Sequence, residues 1–284
     1  MTSLSVLTLV KNRSMHLDRL IEGLNRSVVR PLELIVVDMS ETASAPRPSE
    51  GFPTRVVRLE TDGLPLAAAR NLAAHHAQGD RLLFLDVDCI PTAELVGRME
   101  RELQERDALF CAEVLYLGPD AVADGWSEDG LAKVAEPHPV RDFPRSGWRQ
   151  EENAGLFWSL TFGIRRQTFE RVDGFDESFE GYGAEDTDFG FRCREAGLPL
   201  IFAGGPGSFH QHHGVFSPPL QHFDAILANA ARFRQKWGLW PMDGWLKAFA
   251  DRGFIAFDGS SLTLLRAPDS HDIEAARQPP HARF

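Results

Sequence analysis

The sequence predicts an α/β layer fold with a mainly parallel central sheet and flanking helices. Apolar runs of strand length, such as Leu4–Val10, Leu32–Val37 and Leu82–Leu85, recur through the first part of the chain. Between them lie apolar residues at helical spacing, and that alternation is the mark of a layered sheet with crossover helices. Three of the runs also end in polar residues: Asn12 and Arg13, then Asp38, then Asp86 and Asp88. In open sheets of this class ligands bind beyond the carboxyl ends of the strands, so these ends together describe a site.

Taken in order, Leu4–Val10 is a buried strand, followed by a helix with Leu17, Leu20, Ile21 and Leu24 on one face. Leu32–Val37 is a second strand running into Asp38, and the Pro- and Ser-rich stretch from Thr42 to Pro53 is a surface loop. Val56–Leu59 is a short third strand. Pro65 suits a first helical turn, Leu66, Ala69, Leu72 and Ala73 form its apolar stripe, and Gly79 closes that helix. After the strand entering Asp86 come a helix with Leu95, Val96, Met99 and Leu103 and a strand from Ala108 to Leu115. Periodicity fails from Gly118 to Glu152, which reads as a flexible insertion near the site. Phe157–Ile164 is a buried strand, Gln167–Val172 a short helix, and a helix bearing Phe189, Cys193 and Ala196 stops at Gly197. Leu198–Ala203 is a strand, Gly204–Gly207 a turn, and Leu220, Phe223, Leu227, Ala230 and Phe233 mark a helix ending near Gly238; the end after Ala267 reads as loosely ordered.

Composition narrows the function. With 284 residues and a formal charge of −11, the chain has no general affinity for nucleic acid or anionic lipid, so an anionic substrate needs a local cation. Cys89, Cys111 and Cys193 are far apart within apolar or helical patterns, which suits buried thiols in a reducing compartment. No apolar run reaches a membrane span and the start lacks a signal peptide, so the expected location is the cytoplasm or the inner face of the membrane.

Two acidic stretches carry chemistry. In an extended chain Asp86 and Asp88 point the same way and can grip a divalent cation, although a strand ending in a polar turn uses the same residues. Gly181-Tyr182-Gly183-Ala184-Glu185-Asp186 opens a helix, where carboxylates complement the dipole or, on a rigid helix start, serve as a base. His210, His212 and His213 lie in one short run, and His210 and His212 share a face if it is extended, so either can complete a metal site begun by Asp86 and Asp88.

These residues resemble the inverting glycosyltransferases of family 2 over about residues 3 to 240, with four motifs in order. Lys11-Asn12-Arg13 looks like the family's first-strand loop, Asp38 like its base-binding acid, Ala69-Arg70-Asn71 like its A-R-N element, and Asp86-Val87-Asp88 like its D-x-D. Met39 stands where a second acid is frequent. The Gly181–Asp186 segment resembles the G-W-G-G-E-D of galactosyltransferase-type C-terminal regions.

The resemblance implies the GT-A fold, a Rossmann-like nucleotide-diphospho-sugar transferase fold, over residues 1–245. Residues 1–115 would form the nucleotide-sugar half, 116–245 the acceptor and catalytic half, and 246–284 a partly flexible extension. It implies Asp186 as catalytic base with Glu185 on the acceptor, and Val10, Asn12, Arg13, Asp38, Arg70, Asp86 and Val87 around the nucleotide-sugar. Trp158, Tyr182 and Gly183 would meet the acceptor, and Asp88 with His212, or His210, would hold Mn²⁺ or Mg²⁺. The donor expected is a UDP-sugar and the acceptor a hydroxyl compound. A metal-dependent nucleotidyltransferase would need a glycine-rich phosphate loop that Lys11-Asn12-Arg13 lacks. A glycoside hydrolase, a retaining transferase and a non-catalytic sugar-nucleotide- or carbohydrate-binding protein are the other readings.

Overall fold

The computed structural model describes residues 3–123 and 125–283. The first part alternates β1 (Leu4–Val10), α1 (Ser14–Asn25), β2 (Glu33–Asp38), β3 (Thr54–Arg58), α2 (Leu66–His76), β4 (Arg81–Leu85), β5 (Cys89–Pro91), α3 (Leu95–Glu105) and β6 (Leu109–Tyr116). Then follow α4 (Glu128–Val134), β7 (Glu136–Pro137), β8 (Trp148–Glu151), β9 (Thr161–Arg165), α5 (Arg166–Arg171), α6 (Glu185–Glu195) and β10 (Leu200–His210). The chain closes with α7 (Phe223–Trp237), α8 (Asp243–Asp251), the hairpin β11 (Ile255–Phe257) and β12 (Leu262–Leu264), and α9 (Ser270–Ala275).

The main sheet runs β3-β2-β1-β4-β9-β6-β10-β5, with β7 on β6 and β8 on β10. Strands β3, β2, β1 and β4 are parallel, as are β6 and β10, and β9 lies antiparallel between β4 and β6. Alternate residues feed opposite faces. From β1, Leu7 and Leu9 join Phe84, Phe162, Phe175 and Phe189 on one side, while Leu4, Val6 and Val10 join Leu20, Leu24, Met99 and Phe110 on the other. Burial on both faces is what makes the strand runs continuous rather than alternating.

Several elements differ from the sequence expectation. The turn expected at Gly204–Gly207 is absent, because β10 runs through it with two register shifts against β6. A Cβ at Gly207 would press into Ala112 and Glu113, so the glycine serves close approach of neighbouring strands. In the expected insertion, α4, β7 and β8 form, and β8 pairs with β10. The strand expected from Phe157 begins only at Thr161, after a 3₁₀ turn at Ala154–Leu156. Beyond Ala267, α9 has a capping box at Asp269 and Asp272, and Arg277 pairs with Phe216, so this end is tied to the body. Helix α8 crosses residue 245 and packs Leu246 and Phe249 against Phe223 and Ile226 of α7.

Helix α2 ends at Ala77 with its last N–H groups bonded back, so Gly79 does not close it. Gly79 instead lies against β1: its N–H donates to Ser5 Oγ at 2.9 Å, and a Cβ there would overlap the Ser3 carbonyl oxygen. Gly79→Ala should therefore lower stability by about 1–3 kcal/mol, seen as a lower urea midpoint at unchanged m-value. A midpoint equal to wild type would remove the close-approach explanation.

Candidate functional site

At the carboxyl edge of the parallel strands Asp86, Asp88, Glu185 and Asp186 gather around Arg13 and Arg70. Strand β4 ends at Leu85, and Asp86-Val87-Asp88 forms the turn into β5, with the Cys89 N–H donating to the Asp86 carbonyl at 2.8 Å. The expectation that Asp86 and Asp88 alternate onto one face therefore fails, since a turn has no period of two. Asp86 Oδ1 lies 3.7 Å from Arg70, whereas Asp88 Oδ2 lies 2.5 Å from Arg13. The pair is divided between two cations.

Arg70 of α2 is buried and donates to Glu185 Oε1 at 3.0 Å, so one guanidinium joins the β4 turn to the start of α6. Burial resists its charge, but Glu185 and Asp86 more than offset this and raise its pKa. Asn71 beside it fastens the chain before α6, accepting from the Phe175 N–H at 2.8 Å and donating to its carbonyl at 2.9 Å. Helix α6 begins after Ala184 at φ +69°, with no side-chain cap, so the acidic residues there are not capping the helix in the usual way. Asp186 accepts from the Thr187 N–H at 2.6 Å, and the Ser159 backbone also bonds it. Burial, then the Glu185 charge, push its pKa up to about 6 against the opposing pull of Arg70. Burial likewise raises Asp86 to about 7, with Arg70 opposing and the other three carboxylates adding.

Asp88 behaves in the opposite sense. Burial raises its pKa, but His210, Arg13 and His213 lower it further than that. Burial holds His210 down to about 4, against the pull of Asp88, so that ring is neutral at pH 7 and Arg13 supplies the standing positive charge. His210 Nε2 lies 3.5 Å from Asp88 Oδ1 and His213 Nε2 lies 3.6 Å from Oδ2. Ligand atoms of these three residues fall within 4.8 Å of one another, and Asp88 Oδ1 is buried without a hydrogen-bond partner. One carboxylate and two imidazoles suit a first-row divalent cation such as Mn²⁺, so the residues fit the ion that the resemblance implies.

His212 does not join them: its Nε2 contacts the Ala282 carbonyl at 3.0 Å. Strand β10 stops at His210, and the Gln211 N–H donates to the Asp88 carbonyl at 2.6 Å. The chain leaves the extended conformation there, which brings His213 rather than His212 to Asp88.

Other expected residues take varied places. Val10 and Val87 are core side chains, so only their backbone faces the edge. Asn12, at φ +55°, accepts from the Glu41 N–H at 3.2 Å. Asp38 is buried and accepts from Ser40 N–H at 2.9 Å, Ser44 N–H at 2.7 Å and Arg58 at 2.8 Å. Burial raises its pKa, and those bonds outweigh it to leave the carboxyl below its ordinary value. Tyr182 stacks on His222 at 4.4 Å and faces Trp245 at 5.9 Å. Gly181 and Gly183 have φ of +77° and +97°, and Asn229 of α7 donates to the Gly183 carbonyl at 2.9 Å, fixing that loop. Trp158 lies edge-on to His138 at 4.8 Å. His222, Asn229 and Trp245 carried no sequence signal, whereas Tyr116, which stacks on His210 at 4.7 Å, is one of only two tyrosines.

Residues 5–126 match the family model described as glycosyl transferase family 2, and residues 141–213 match that described as the N-terminal domain of galactosyltransferase. A validoxylamine A glucosyltransferase of Streptomyces hygroscopicus subsp. limoneus is 28% identical over 82% of this chain and 56% of its own. A chondroitin synthase of Pasteurella multocida is 24% identical over 73% of this chain and 24% of its own. This chain thus spans little more than half of the first relative and a quarter of the second. Among solved structures, GalNAc-T7 with UDP, GalNAc and Mn²⁺ superposes with a TM-score of 0.54 at 18% identity, over 75% of this chain and 44% of that one. S. aureus TarS in complex with UDP-GlcNAc gives 0.54 at 15% identity, over 82% and 67%. No described helix is long and apolar enough to cross a membrane.

Two measurements check this geometry. In Mn²⁺ titrations without nucleotide, His210→Ala and His213→Ala should lose about tenfold or more in affinity, while His212→Ala stays near wild type and Arg13→Gln binds more tightly. Equal loss in His212→Ala and His213→Ala would reject the assignment. Because the folded pKa of Asp186 lies above its ordinary 3.8, its carboxyl favours folding below that value, and this contribution is lost as pH rises through about 6. Asp186→Asn should therefore raise the thermal midpoint by about 2–5 °C at pH 7.5 and converge on wild type near pH 4. A midpoint lowered at pH 7.5 would instead make Asp186 a helix-stabilising residue.

Proposed function

Since the chain belongs to glycosyl transferase family 2, with a galactosyltransferase-type C-terminal region and the GT-A fold, we propose that it moves a hexose from a nucleotide-diphosphate sugar to a hydroxyl acceptor with inversion. The observation that carries this reading is the opposite tuning of two acids at one sheet edge. Asp88 is held ionised beside two imidazoles, and Asp186 is pushed up to about 6 on a helix start.

Asp88, His210 and His213 would hold Mn²⁺ or Mg²⁺, which when bound neutralises charge developing on the departing diphosphate. Asp186 accepts the proton of the attacking acceptor hydroxyl, and a pKa near the working pH suits that task. Glu185 is fixed by Arg70 through Oε1, while its buried Oε2 lacks a partner and would take an acceptor hydroxyl that reached it. Arg13 neutralises Asp88, and with a cation on that carboxylate it would be released to pair with the diphosphate. A single displacement inverts the anomeric carbon. UDP is the favoured nucleotide, supported by the UDP and UDP-GlcNAc in the structures superposed above. Asp38 is fully buried and already engaged by Ser40, Ser44 and Arg58, so its part at the base would be to hold the loop from Ser40 to Ser44 rather than to bond the base directly. The reading places the protein in the cytoplasm or on the inner face of the membrane, where nucleotide-sugars are available.

Calorimetric titration of UDP and of GDP, each with Mn²⁺ and with chelator, tests the donor site. Metal-dependent binding of UDP is expected, and binding of neither nucleotide under any condition would remove the transferase reading. Asp186→Asn should lower turnover about 10²–10⁴-fold with UDP affinity retained, whereas Asp88→Asn should weaken UDP binding itself. Equal loss of UDP binding in both variants would end the division of roles.

A further inference from the structure

Arg141 lies in the irregular stretch between β7 and β8, and none of the chemistry above uses it. Its side chain is 5% exposed, and Nε and Nη2 are buried without a hydrogen-bond partner. No carboxylate pairs with it among the described residues, in contrast to Arg13, Arg70 and Arg192. The guanidinium is caged by Phe143, Trp158 and Phe202, at 5.0, 5.2 and 5.1 Å. Ring faces attract a cation, yet they supply neither countercharge nor directed acceptors for its N–H groups. Among the described residues, burial pushes the neighbouring Cys111 thiol up to about 11, raises Tyr116 and lowers His138, so all three are neutral and bring no countercharge. A buried cation left in this state is costly to the fold, and an anion would relieve it.

Its position says which anion. Ser159, next to Trp158, bonds Asp186 through its backbone, so the guanidinium lies one layer of residues from the base. On the other side, His138 stands between Trp158 and Tyr116, and Tyr116 stacks on His210 of the cation cluster. A narrow cleft lined by Glu113, Tyr116, Pro137, His138, Arg141 and Phe143 opens beside it and is too tight for free water; burial raises the Glu113 pKa, and the cation that opposes this is Arg98 rather than Arg141. We infer that Arg141 is the receptor for an anionic substituent, a carboxylate or a phosphate, carried by one of the two sugars that this site takes. The inference rests on the transferase reading and adds a substrate class to it. On this inference the stretch from 138 to 147, which holds no regular element, has to move to admit the ligand. Bidentate bonding to two oxygens of the anion then uses the two N–H groups that now lack partners.

The test is calorimetry on the full chain. A free hexuronate and a hexose 6-phosphate are compared with the neutral hexose, and a UDP-hexuronate with the UDP-hexose in Mn²⁺. Each is run on wild type, Arg141→Gln and Arg141→Lys. Wild type should prefer the anionic sugar about tenfold or more, Arg141→Lys should keep part of that preference, and Arg141→Gln should lose it. Thermal midpoints should not fall in Arg141→Gln, because an uncompensated charge is removed. A preference confined to the nucleotide-linked pair assigns the anion to the donor, and one seen with free sugars assigns it to the acceptor. Equal binding of anionic and neutral sugars by wild type, or a preference unchanged in Arg141→Gln, overturns the inference. An Arg141-dependent preference for free hexuronate without any UDP binding would uphold the receptor and remove the transferase reading.

Discussion

The site depends on one buried guanidinium. Arg70 reaches from α2 to Glu185 at 3.0 Å and toward Asp86 at 3.7 Å, and its neighbour Asn71 clasps the backbone of Phe175. Phe175 in turn stacks on Phe189 of α6 at 4.3 Å and lies under Arg70. Two consecutive residues of α2 thus bind the β4 turn to the helix that carries Glu185 and Asp186. Without a cation there, Asp86, Glu185 and Asp186 would face one another in a desolvated cluster, and mutual repulsion would drive α6 from the sheet or force its acids to protonate.

A second cation completes the division. Arg13 takes Asp88 and Arg70 takes Asp86 and Glu185, which leaves Asp186 with backbone bonds and a neighbouring negative charge. Asp88, given a cation of its own, is held ionised, while Asp86, which shares Arg70 with Glu185, and Asp186, which has only backbone bonds, are raised to about 7 and about 6. This asymmetry follows from position alone, since all three aspartates share one side chain. It also costs stability above pH 6, and the apolar layers on both faces of the sheet supply the reserve that tolerates it.

What the sequence shows and hides follows from range. Strands β1, β2 and β4 and the helices between them were legible because apolar runs and helical stripes are local patterns, and β1 matches its expected bounds. The Gly204–Gly207 stretch misled because its glycines serve contact with Ala112 on a strand far away in sequence. His213 in place of His212 turns on where β10 ends, which its pairing with β5 and β6 decides. The paired acids of the β4 turn were legible as residue types, while their separation onto Arg70 and Arg13 needed the fold. Arg141 gave no signal at all, because burial without a partner is a property of the packed chain.

The two sides of the edge also differ in what builds them. Asp38, Asp86 and Asp88 lie in the region matched by the family 2 model, and Glu185 and Asp186 in the galactosyltransferase-type region that ends at residue 213. The wall beside Tyr182 comes from beyond both, with His222 before α7, Asn229 within it and Trp245 in α8. Asn229 holds the glycine loop from Glu180 to Gly183, so α7 sets the position of Tyr182 and steadies the approach to Asp186. On the transferase reading, catalytic geometry is then fixed by the shared sheet edge. Helix α7 is bound to the acid-bearing helix as well, since Trp237 Nε1 donates to Asp188 Oδ1 at 2.8 Å, so on the same reading a change of acceptor would fall on Tyr182, His222 and Trp245 while Asn229 and Trp237 keep the acids in place.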